Sequence, residues 1–80
     1  MLSKLNTGSK IVGTKQVKRA ILNESVNTVF IAKDAESKVI KDVEELCEEK
    51  SVDIIYVDTM KELGNACGIE VSAASAALLK

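Results

Sequence analysis

Thr28-Val29-Phe30-Ile31-Ala32 carries no charge and is rich in β-branched side chains. Such a run reads as a strand buried on both faces of a sheet. Val52-Asp53-Ile54-Ile55-Tyr56-Val57 is a second run of the same kind. Between them Val39, Ile40, Val43, Leu46 and Cys47 recur at helical spacing, so a helix ending near Lys50 joins the two strands. Its acids face water, and Asp34 or Ser37 supplies its cap.

The same pattern continues outward in both directions. Upstream, Ile11-Val12 is a brief strand entering a turn at Gly13, and Thr14 opens a helix with Val17, Ala20 and Ile21 on its core face. Asn23 to Asn27 closes that helix. Leu2 and Leu5, three apart, suggest a short helix over Met1 to Gly8. Downstream, Thr59-Met60-Lys61-Glu62 has the form of a capping box, with hydroxyl and carboxylate each satisfying an orphan amide. Leu63, Ala66 and Cys67 then face the core, and Gly68 ends the helix in the left-handed conformation. Val71 begins a last short strand, and Ala73 to Leu79 has the composition of a final helix. Helices alternating with buried strands imply an α/β fold: a three-layer α/β/α sandwich around a mixed sheet of about four strands.

Length and composition agree. A chain of 80 residues has room for one domain, expected to span 1–80, and a domain of that size buries roughly 60–65% of its unfolded surface. With 46% hydrophobic residues, 29% charged and no proline, a regular fold with short connections is expected. The net charge of −1 lacks the excess of nonspecific nucleic-acid binders, so any RNA site must be local. The acids concentrate between Asp34 and Asp58, whereas Lys10, Lys15, Lys18 and Arg19 stand together with no acid among them. No apolar run reaches the roughly 20 residues that span a bilayer, and the N-terminus has no signal-peptide pattern, so a soluble, cytoplasmic chain with no membrane partner is expected.

Three groups of residues could carry chemistry. Gly13-Thr14-Lys15-Gln16 with Lys18 and Arg19 places cations and an amide at a helix start, where free N–H groups and the positive dipole end suit a phosphate or a base edge. The alternative is a solvated helix face with repelling cations. Ile69-Glu70-Val71 puts aliphatics around a carboxylate in a connecting segment. These side chains either tuck into the core or pack against an unstacked base, with Glu70 accepting from a 2′-hydroxyl or a base amino group. Lys33, just past the buried strand at Ala32, stands where α/β folds often place binding groups, or is a surface lysine beside a cap.

Catalysis finds little support. There is no histidine, and a four-ligand zinc site would need carboxylates beside Cys47 and Cys67, so the two read as buried free thiols. No metal or cofactor is expected.

Taken together, Gly13-Thr14-Lys15-Gln16, Ala32-Lys33-Asp34, Leu63-Gly64, Ala66-Cys67-Gly68 and Ile69-Glu70-Val71 resemble the ribosomal protein L7Ae family in its small bacterial branch. The match covers about Ile11 to Ala77. Archaeal and eukaryotic members carry Asn-Glu at the positions of Lys15-Gln16 and a lysine at Arg19. The resemblance implies binding of kink-turn RNA, in which that pair reads the guanines of tandem sheared G·A pairs, the basic residue holds phosphate and the loop aliphatics cover an extruded base. Carried over, Lys15 donates to guanine O6 or N7, Gln16 replaces the glutamate as acceptor, Arg19 keeps the cation and Lys18 adds a phosphate contact.

The expected function is therefore a non-enzymatic, monomeric RNA-binding protein that stabilises kink-turns with tandem G·A pairs in ribosomal or regulatory RNA. The ribosome is one setting for it. The rival is a protein-interaction module that offers the Ile69/Val71 surface to an apolar groove while the acidic helix tunes partner choice.

Overall fold

The apolar run at 28–32 forms the inner half of a strand flanked on both sides. In the computed structural model, which describes residues 10–68 and 73–79, the elements run β1 (Lys10–Val12), α1 (Thr14–Leu22), β2 (Val26–Ala32), α2 (Ser37–Lys50), β3 (Asp53–Val57), α3 (Met60–Ala66) and β4 (Ser75–Leu79). They build one four-stranded mixed sheet in the order β1-β4-β2-β3. β2 and β3 are parallel, with Val29 opposite Ile54, whereas β4 is antiparallel to both of its neighbours. The readings at Met1 to Gly8 and at Val71 lie outside the described residues.

Successive side chains of β2 point to opposite faces, and each face meets its own helical layer. Val29 and Ile31, with Ala77 of β4, pack against Val17, Ala20 and Ile21 of α1 and Val43 and Cys47 of α2. Phe30 and Ala32, with Ala76 and Leu78 of β4 and Val57 of β3, pack against Leu63 and Cys67 at α3. The result is the three-layer α/β/α sandwich.

Three local expectations are corrected. Ala73 to Leu79 does not form a helix, because residues 75–79 make β4, the strand paired with both β1 and β2. Alanine is the best helix former, but intrinsic propensity is small beside tertiary context, and a central slot between two strands overrides it. Ala76 lies opposite both Val12 and Phe30, and its small side chain makes room for the phenylalanine. The run at 52–57 is not buried like 28–32, because β3 is an edge strand: only Val57 is buried, and Tyr56 is 46% exposed. Finally, neither Asp34 nor Ser37 caps α2. Glu36 takes the N-cap position without a side-chain bond, while Asp34 Oδ1 accepts from the Met60 amide of α3 at 2.7 Å. The threonine half of the expected capping box is present, Thr59 Oγ1 accepting from Glu62 N at 3.0 Å, whereas the Glu62 carboxylate makes no return bond to the Thr59 amide.

β1, β2 and β3 all run the same way, so their C-terminal ends and the N-terminal end of β4 share one edge of the sheet. All three helices begin there.

Candidate nucleic-acid interface

The N-terminus of α1 is opened by Gly13 at φ +106° and ψ 135°, a conformation that L side chains rarely adopt, so glycine is required there. No side chain caps the helix, and its first turn holds no acid. The orphan amides of that turn and the positive dipole end therefore face outward unneutralised. Val17, Ala20 and Ile21 anchor the buried side, which leaves Lys15, Gln16 and Arg19 exposed. Thr14, Lys15, Lys18, Arg19 and the 56% exposed Leu22 line a shallow concave face of about 490 Å³.

Among the described residues, Lys15 and Arg19 have no carboxylate within ion-pair distance. Two other candidates differ. Lys18 Nζ lies 3.3 Å from Asp42 Oδ2 on α2, and Lys33 Nζ lies 3.5 Å from Asp58 Oδ1 in a pair that is open to water. Exposed pairs like that of Lys33 are worth at most about 1 kcal/mol, so Lys33 can exchange its carboxylate for a phosphate, whereas Lys18 is the more enclosed of the two.

The sheet edge brings the separate segments together. The Gly13 amide donates to the Ser75 carbonyl at 3.1 Å, and the Thr14 and Ser75 hydroxyls are hydrogen-bonded at 3.1 Å across 61 residues of sequence. The Ala32 amide donates to the Ala74 carbonyl, which sets Lys33 on the other side of the same strand start. At the end of α3, Gly68 has φ +78°, the left-handed terminus expected from the sequence. Ile69, Glu70 and Val71 lie outside the described residues. Their described flanks are Gly68 and Ala73, and the Ala73 amide donates to the Met60 carbonyl at 3.0 Å.

Ser75 is the residue that the sequence reading missed. It is fully buried and ties the first turn of α1 to β4. A serine inside an alanine run read as helical gives no local sign of this, although a strand reading would have turned it inward.

Burial disfavours the thiolate, the nucleophilic form, at both cysteines. Both Cys47 and Cys67 are buried and free. Burial, with a smaller contribution from Glu44, pushes Cys47 up from 9.0 to about 11, and burial also raises Cys67 against an opposing pull from Lys10. Between those values the unfolded chain loses the Cys47 proton while the folded chain keeps it, so stability should fall as pH rises from about 9 to 11. Denaturation midpoints measured across that range in the native chain and in Cys47→Ala should diverge, and parallel curves would refute the assignment. Among the described residues, no group of three or more His, Cys, Asp or Glu is placed to hold a metal. No described helix is long and apolar enough to cross a membrane.

A polar, cation-bearing helix start beside a sheet edge is the geometry of a binding surface. The chain belongs to the Ribosomal protein L7Ae/L30e/S12e/Gadd45 family, whose model matches residues 2–80. It is 57% identical over 68 residues to "RNA-binding protein TTE2299" of Caldanaerobacter subterraneus, covering 85% of this chain and 83% of that one. It is 53% identical over 70 residues to "RNA-binding protein BH0128" of Halalkalibacterium halodurans, covering 88% and 85%. Among solved structures, the Giardia lamblia "15.5kD RNA binding protein" superposes with a TM-score of 0.85 at 22% identity. That match covers 99% of this chain and 65% of that one, a likeness of fold.

Proposed function

We propose that this chain is an RNA-binding protein that recognises and stabilises the kink-turn, acting as a single monomeric domain in the cytoplasm on ribosomal or regulatory RNA. The observation that carries this reading is the uncapped, acid-free start of α1, with Lys15, Gln16 and Arg19 exposed and Gly13 bonded to Ser75 at the strand start that follows residues 69–72. In this reading Lys15 and Gln16 meet the guanine edges of tandem G·A pairs, and Arg19 and Lys33 hold phosphate. Ile69 and Val71 cover an unstacked base, with Glu70 accepting beside them. The names of the relatives support RNA as the ligand. Binding only the bent RNA shifts its conformational population by the difference in affinity for the two forms.

A gel-shift titration of a kink-turn RNA and of its G·A-disrupted variant tests this. The expected result is a clear preference for the intact motif, with affinity that falls steeply as salt rises. Equal affinity for both RNAs ends the specific reading. Binding of a protein partner with little salt dependence would favour the interaction module instead.

A further inference from the structure

Lys18 stands at the seam between two surfaces of opposite charge. On one side is the concave face of α1 shared with Thr14, Lys15, Arg19 and Leu22. On the other, α2 presents Asp42, Glu45 and Glu49 at helical spacing, which with Leu46 and Lys18 line a groove of about 330 Å³. The ammonium sits on the acidic side, 3.3 Å from Asp42 Oδ2, with the two side chains 36% and 40% exposed.

We propose that Asp42 holds Lys18 out of the RNA footprint, and that Asp42, Glu45 and Glu49 form an electrostatic edge that selects against RNA lacking the kink. The proposal rests on the kink-turn reading and names how that site rejects other RNA. A basic helix face attracts any phosphate backbone, and such contacts supply affinity without sequence information. Lys15 and Gln16 can gain from base edges only when the RNA presents them. Lys18, if free, would contact phosphate on any RNA within its reach. Pairing it with Asp42 removes one such nonspecific contact. The stripe of carboxylates that begins at Asp42, 3.3 Å from Lys18, repels over a Debye length of about 8–10 Å a duplex that strays towards α2. When base contacts fix the register of a kink-turn on α1, Lys18 adds little, so the cost falls on the wrong RNA.

The test compares the native chain with Asp42→Asn on a plain RNA duplex and on a kink-turn, each titrated across a range of salt. For the duplex, Asp42→Asn should bind about two- to five-fold tighter, and its log K against log salt should steepen by about 0.7–0.9, one added phosphate contact. Kink-turn affinity should change by less than about two-fold, so the preference narrows. In Lys18→Met/Asp42→Asn the steeper slope should revert. Glu45→Gln, which leaves the ion pair in place but removes one repelling charge, should tighten duplex binding modestly and steepen the slope less than Asp42→Asn does, because no phosphate contact is added. Melting curves show that each variant is folded. An unchanged duplex affinity and slope would overturn the proposal, as would an equal gain on both RNAs or a steeper slope that survives Lys18→Met. A native chain with no kink-turn preference would instead overturn the underlying reading, before any variant is made.

Discussion

Gln16→Ala should weaken kink-turn binding by about five- to 150-fold, the range expected when one side chain that reads a base edge is lost, at about 1–3 kcal/mol. Its melting temperature should not move. Gln16 is exposed on the outward face of α1, and its side chain has no hydrogen-bond partner among the described residues, so folding does not need it. Its amide can both donate and accept, and the register of α1 is fixed from below by buried Val17, Ala20 and Ile21. A backbone held in this way loses little freedom on binding, so the ordering cost is confined to the Gln16 side chain itself. Ile69→Asp should weaken binding to a comparable degree by placing a charge where an aliphatic is proposed to meet a base. Lys50→Ala, at the C-terminal end of α2, serves as the distal control. Fluorescence anisotropy with labelled kink-turn RNA measures all three, and native affinity in Gln16→Ala would remove that residue from the site.

Much of the fold was legible because its signals are local. The β-branched run at 28–32, the helical spacing of Val17, Ala20 and Ile21, and the Thr59 cap each draw their meaning from a few neighbouring residues, and each stands where expected. The failures share the opposite property. Ala73 to Leu79 is a strand only because two other strands flank it, and the exposure of Tyr56 follows from β3 lying at an edge. Asp34 caps a helix 26 residues away, which no reading of its own neighbours could foresee.

The candidate site divides along the same line. Gly13 to Arg19 was legible as one helix start. That it meets the start of β4 through the Thr14–Ser75 hydroxyl pair is a tertiary fact, as is the pairing of Lys18 with Asp42. The chain therefore spells out which side chains are offered to a ligand, while the sheet order decides which of them act together.

Leu63→Ala should be the most damaging core change for function, because it loosens the helix that leads into the second half of the proposed site. α3 has seven residues, and helices shorter than about 12–15 residues are marginal in water, so packing must hold it. Leu63 is fully buried among Phe30, Ala32, Val57 and Ala76, whereas the caps from Thr59 and Asp34 secure only the first turn. Truncating a buried leucine to alanine costs about 2–5 kcal/mol through lost transfer energy and the cavity left behind. At roughly 0.05–0.15 kcal/mol per residue, that is a large part of the stability of so small a domain. Calorimetry should show the melting temperature lowered by at least about 10 °C. Binding should suffer selectively. At a temperature where the variant is still folded, kink-turn affinity should fall because Gly68 no longer starts the following segment from a fixed place, while the weaker binding of a plain duplex through α1 should persist. Lys61→Ala, exposed on the same helix, should change neither quantity. A Leu63→Ala chain that melts within a few degrees of the native one would refute the packing argument. One that melts early yet binds the kink-turn normally would separate α3 from RNA recognition.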